Sequence, residues 1–113
     1  MNAILESARK LQDELVAMRR EIHENPEVGD KLPITKTFVM NKLREFGYEP
    51  EEICESGIVA TIEGKKPGKV ILLRADMDSL PVKEETLCSF KSTNGNMHAC
   101  GHDLHASMML MCA

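Results

Sequence analysis

The chain has 113 residues and a formal net charge of −4, so it makes one domain at most, with no electrostatic reason to bind nucleic acid or an anionic membrane. Its 42% hydrophobic and 28% charged residues give the balance of an ordinary globular protein, with room for a modest core. No stretch approaches the roughly 18 apolar residues of a membrane span, and the N-terminal region lacks the continuous apolar run of a signal peptide; a cytoplasmic chain is expected. In that reducing setting Cys54, Cys88, Cys100 and Cys112 are expected as thiols or ligands, not disulfides.

Residues 3 to 24 carry Ile4, Ala8, Leu11, Leu15, Met18 and Ile22 at alternating spacings of four and three, which predicts one amphipathic helix. Asn25-Pro26 stops it, because the residue before a proline avoids the α region. His23 falls in the last turn, where a C-terminal cap or helix-dipole partner is the expected role. After a connector with Pro26, Gly29 and Pro33, a second helix is predicted from about Thr35 to Phe46. Thr35 is its expected cap, Phe38, Val39, Leu43 and Phe46 its buried face, and Gly47 its C′ residue.

The period then turns extended. Glu51 to Cys54 is a short strand candidate, and the β-branched run Ile58 to Ile62 is bounded by Gly57 and Gly64. Val70-Ile71-Leu72-Leu73 is continuously apolar, as expected of a strand covered on both faces. Its end is abruptly charged, at Arg74-Ala75-Asp76-Met77-Asp78. Helices followed by a buried strand ending in acids suggest a layered α/β fold, with ligands bound beyond the strand's carboxyl end. Asp76 and Asp78 are placed there to touch a metal or orient a ligand histidine; Asp76 can alternatively pair with Arg74. Residues 79 to 96 read as a long functional or mobile loop, with Glu84 and Glu85 solvated.

The loop delivers the chain to Met97-His98-Ala99-Cys100-Gly101-His102-Asp103-Leu104-His105, which holds three of the four histidines. Imidazole and thiolate are good ligands for borderline-soft metals. Cys100 and His102 stand two apart around Gly101, whose missing Cβ lets the backbone kink so that both can reach one ion. Asp103 opens the apolar run Leu104 to Met111 and is the expected N-cap of a last helix. On spacing alone, a metal site and a set of hydrogen-bonded loop and helix histidines both account for the pattern, since structural zinc sites need four ligands.

Together, Arg74-Ala75-Asp76-Met77-Asp78-Ser79-Leu80-Pro81 and Met97 to Asp103, with Arg19-Arg20, His23 and Pro26-Glu27 upstream, strongly resemble the M20 metallopeptidase family. The likeness is to its amidohydrolase branch, which includes hippurate hydrolase, N-acyl-amino-acid amidohydrolases and auxin-conjugate hydrolases. It implies the N-terminal part of a three-layer, aminopeptidase-like α/β catalytic domain over residues 1–113, with no second domain. It further implies a two-metal centre using Mn, Zn or Co, and hydrolysis of the amide bond of N-acyl amino acids or similar small molecules. Cys100 and His102 fall where the family places two metal ligands. Asp78 falls at a catalytic position, and Asp76, His98, Asp103 and His105 would have supporting roles.

The sequence departs from the family at Leu32, where a glutamate usually stands, and in length. The family's general-base glutamate and remaining ligands have no counterpart in this stretch. A chain inactive by itself is therefore expected, associating with itself or with the remainder of an enzyme through Met108, Met109, Leu110 and Met111. A small structural zinc module is the alternative.

Overall fold

The computed structural model describes residues 2–113, in the order α1 (Ala3–Lys10), α2 (Gln12–Glu24), α3 (Pro33–Glu45), β1 (Glu51–Ile53), β2 (Gly57–Val59) and α4 (His102–Cys112). Asn2 caps α1, its Oδ1 accepting the Ile4 N–H at 2.9 Å. The single helix expected over residues 3 to 24 is broken at Leu11, whose N–H turns back to the Ala8 carbonyl at 3.1 Å. The cause lies in packing. Met18 and Ile22 are buried, but α1 buries nothing, so no tertiary contact holds the two halves on one axis. α2 ends at Glu24, before Asn25-Pro26, as the proline requires.

α3 starts with Pro33 in its first turn, where a missing N–H costs nothing. Its cap is Glu27, not Thr35. The Glu27 carboxylate accepts the Ile34 N–H at 3.1 Å and the Thr35 N–H at 2.7 Å, placing negative charge at the helix's positive end. Thr35 is buried within the first turn itself. At the other end Gly47 has φ +92°; its N–H reaches the Arg44 carbonyl at 2.9 Å, and the Tyr48 N–H reaches that of Leu43 at 3.0 Å. This is a complete Schellman stop with glycine at C′, as the sequence predicts.

β1 and β2 form an antiparallel hairpin pairing Glu51 with Val59, Glu52 with Ile58 and Ile53 with Gly57. The strand expected over Ile58–Ile62 is thus shorter and starts one residue earlier. Val39 and Leu43 of α3, Met18 of α2 and Leu110 of α4 make the core, with Phe38, Phe46, Tyr48, Ile58, Met77 and Met111 packed around it.

The central strand expected at Val70–Leu73 is not formed. Its residues are between 65% and 97% exposed. A doubly covered strand exists only with neighbours on both edges, and among the described residues β1 and β2 pair only with each other. Past this run the chain turns inward. Ser79 bridges to Val28 and donates to the Glu27 carbonyl from both its N–H and its hydroxyl; Leu80 pairs with Met97. These contacts bring the Asp76–Asp78 turn to the start of α4, which packs on α2. No helix among the described residues is long and apolar enough to cross a membrane.

Candidate metal centre and its buried support

α4 begins at His102, with Gly101 as its N-cap residue in the left-handed region at φ +87°. That conformation favours glycine, and it is the kink expected between Cys100 and His102. Asp103 is therefore not the cap. It lies inside the first turn, where its charge suits the helix dipole, and it is almost completely buried.

His102 is held from one side. Its Nδ1 lies 3.0 Å from Asp78 Oδ1 and 2.9 Å from the Asp78 carbonyl oxygen, so it donates there and leaves Nε2 as the lone-pair nitrogen. Nε2 faces Asp76 Oδ2 at 3.9 Å. The other Asp76 oxygen accepts from Arg74 Nη2 at 2.5 Å, the alternative pairing open for Asp76 in the sequence. Cys100 is exposed immediately before Gly101. His105 is exposed on α4, its side chain outside these contacts.

His98 is buried, and neither of its ring nitrogens has a partner among the described residues. Burial pushes its pKa down from the ordinary imidazole value. Asp103 and Asp78 oppose that shift, while His23 and His102 add to it. Orphaned buried nitrogens are rare in native proteins, and these feel two carboxylates, Asp103 and Asp78, and two imidazoles, His23 and His102. The donor chemistry fits a divalent ion. Ligands bound at about 2.0–2.3 Å to one ion stand roughly 3–4 Å apart, the spacing of His102 Nε2 and Asp76 Oδ2. Cys100 and His102 do not, however, complete a close trio of ligands among the described residues; the one such trio lies elsewhere, at His23, Glu84 and Cys88.

Two residues overturn their expected roles. His23 is not a helix cap. It is 3% exposed, with Nδ1 2.7 Å from Asp103 Oδ2 and Nε2 2.9 Å from Glu84 Oε1. Arg19 Nε donates to the same Asp103 oxygen at 2.7 Å. Glu84 is not a solvated loop acid but is also 3% exposed. It accepts the Ser92 N–H at 2.9 Å, the Thr86 hydroxyl, and the Cys88 thiol at 3.6 Å. Burial alone would raise its pKa; the Ser92 N–H, the Thr86 hydroxyl and His23 outweigh that and hold it down to about 2. His23, Asp103 and Glu84 thus form a buried row behind the motif, with half-buried Arg19 at its end, tying loop and α2 to the first turn of α4. The sequence carried one hint of it, a charged pair inside a loop too long to be structureless.

Residues 72–113 match the family model for peptidase family M20/M25/M40. The chain is 48% identical to hippurate hydrolase from Campylobacter jejuni over 105 residues, covering 91% of this chain and 27% of that protein. It is 47% identical to thermostable carboxypeptidase 2 from Saccharolobus solfataricus, again over 105 residues, 90% of this chain and 27% of the relative. Its fold superposes with a TM-score of 0.84 on a dinuclear metal-binding peptidase of family M20 from Bacillus subtilis, at 36% identity over 90% of this chain and 29% of that one. The fold is that of M20 peptidase domains. The family-model match, the relatives and the superposition all point to likeness with one family, M20/M25/M40, and the chain spans about 27% of the length of these curated relatives.

Proposed function

We propose that this chain supplies part of a two-metal amidohydrolase site acting on N-acyl amino acids or similar small amides. It would be the N-terminal part of that catalytic domain, with Cys100 and His102 as metal ligands. The observation that carries this reading is the Asp78–His102 contact. A carboxylate on one ring nitrogen fixes the tautomer and raises the basicity of the other, the usual support of a metal-binding histidine. The names of two relatives support the reaction class. Hippurate is an N-acylated amino acid, and a carboxypeptidase cleaves an amide beside a carboxylate.

Divalent ions bound here would supply Lewis acidity toward an amide carbonyl and toward water. The chain's own residues do the rest. Asp78 orients His102, Asp76 adds negative charge at its free nitrogen, and the buried row fixes the turn on which Cys100 and His102 stand. Glu84 is not free to act as general base, because it is engaged with its own buried partners.

The test is hydrolysis of N-acetyl and N-benzoyl amino acids with added Mn²⁺, Co²⁺ or Zn²⁺. It compares the 113-residue chain with a longer protein containing it. The longer protein is expected to turn over and to lose activity with its metal in Cys100→Ser; the chain alone is expected to be silent. Unchanged metal content in that variant would remove Cys100 from the site.

A further inference from the structure

We propose a second metal site, separate from the Cys100–His102 motif, in which His23, Glu84 and Cys88 bind one borderline-soft divalent ion such as Zn²⁺ or Co²⁺. Their ligand atoms lie within 4.8 Å of one another, with His23 and Glu84 buried and Cys88 half-exposed. His23 Nε2 is 2.9 Å from Glu84 Oε1, and Cys88 Sγ is 3.6 Å from Glu84 Oε2; ligands around a tetrahedral ion stand roughly 3–4 Å apart, so small side-chain shifts admit one. Asp103 holds the far nitrogen of His23 at 2.7 Å, so the imidazole is oriented as metal-binding histidines are. Thr86 Oγ1, 3.2 Å from the Cys88 sulfur, offers an oxygen for the fourth position. The half-exposed thiol gives the ion its way in.

Charge balance favours the exchange. Without an ion, a hydrogen must lie between His23 Nε2 and the ionised Glu84, and Asp103 takes another from Nδ1. Binding removes the hydrogen from Nε2 and the one from Cys88 Sγ, two protons passing to solvent as two positive charges arrive. The ion would take the place of the hydrogens that now join these groups, and its ligands meet the cost of burying it. Such an ion would pin the loop carrying Glu84 and Cys88 to α2.

The test uses Co²⁺ alone and a variant of the 113-residue chain with a single thiol, Cys54→Ser/Cys100→Ser/Cys112→Ser/His102→Ala. One equivalent should bind, with a thiolate-to-cobalt charge-transfer absorption. Adding Cys88→His should keep the stoichiometry and lose the absorption. Adding Cys88→Ser should weaken binding at least about 100-fold, more than loss of an outer partner does. In the otherwise unchanged chain, Cys88→Ser should lower tight Zn²⁺ binding by one equivalent, which covers the case in which the multiple variant does not fold. A single-thiol chain that folds but shows no absorption holds only the proton-filled hydrogen-bond network, and overturns the proposal. So does an unchanged Zn²⁺ count in Cys88→Ser.

Discussion

His23 Nδ1 stands 2.7 Å from Asp103 Oδ2, joining the last turn of α2 to the first turn of α4 across eighty residues of chain. Because half-buried Arg19 donates to the same oxygen, one buried carboxylate anchors two partners. Removing a single member of such a buried pair strands the others. Asp103→Ala is expected to destabilise the fold by about 3–5 kcal/mol, measured as a lower denaturant midpoint at unchanged slope. A loss below about 1 kcal/mol would mean that the row adds nothing beyond ordinary surface pairing.

Glu84 sets an acid limit on stability. Its folded pKa of about 2 lies below the ordinary 4.5, so folding favours the ionised form. The stability it adds is fully present above pH 4.5 and is lost as pH falls toward about 2, amounting to about 3 kcal/mol at most. In Glu84→Gln, stability should be lower near neutral pH and nearly flat across that acid window. A variant that follows the parent's acid slope would place the cause elsewhere.

Gly47 isolates a backbone effect. Its φ of +92° is left-handed, and an added Cβ would meet nothing within 4 Å. Gly47→Ala should therefore cost about 1–2 kcal/mol through conformation alone, read as a lower Tm. Gly47→Asn should recover part of it, because asparagine tolerates that region best after glycine.

The Asp78 carboxylate should matter to metal affinity more than to folding. It is half-exposed, and its contact with His102 would be the outer support of the proposed ligand. Asp78→Ala is expected to weaken divalent-ion binding by the chain about 10–100-fold, by titration calorimetry, with little change in thermal stability. An affinity within twofold of the parent would remove the orienting role.

Local features were legible in the sequence and non-local ones were not. The Gly47 stop, the Asn25-Pro26 end of α2 and the kink at Gly101 depend on a few adjacent residues, so their chemistry shows in the spelling. His23 and Glu84 lie 61 residues apart, and nothing near either one announces that the other neutralises it. Each looked like an ordinary polar group at a helix end or in a loop. Val70–Leu73 failed in the opposite way. Its composition is that of a buried strand, but a strand is a relation between chains of residues, and composition carries only one side of it. The motif around Cys100 stood out because the residue types a metal site would use are few, whereas the Arg19–His23–Asp103 contacts behind it are fixed by packing.

The uncovered Val70–Leu73 run also bears on how the chain behaves in concentrated solution. Of the apolar C-terminal residues expected to drive association, Leu110 is buried and Met111 packs on the core, leaving the four-residue run as the larger exposed apolar stretch. Uncharged and free of proline, it can template strand addition from a neighbour, and Lys69 and Arg74 flank it as like charges that two copies must bring together. Salt screens that repulsion within roughly 10 Å at 0.1 M while leaving the apolar attraction intact. Association measured by sedimentation should therefore increase with ionic strength, the reverse of a contact built on ion pairs.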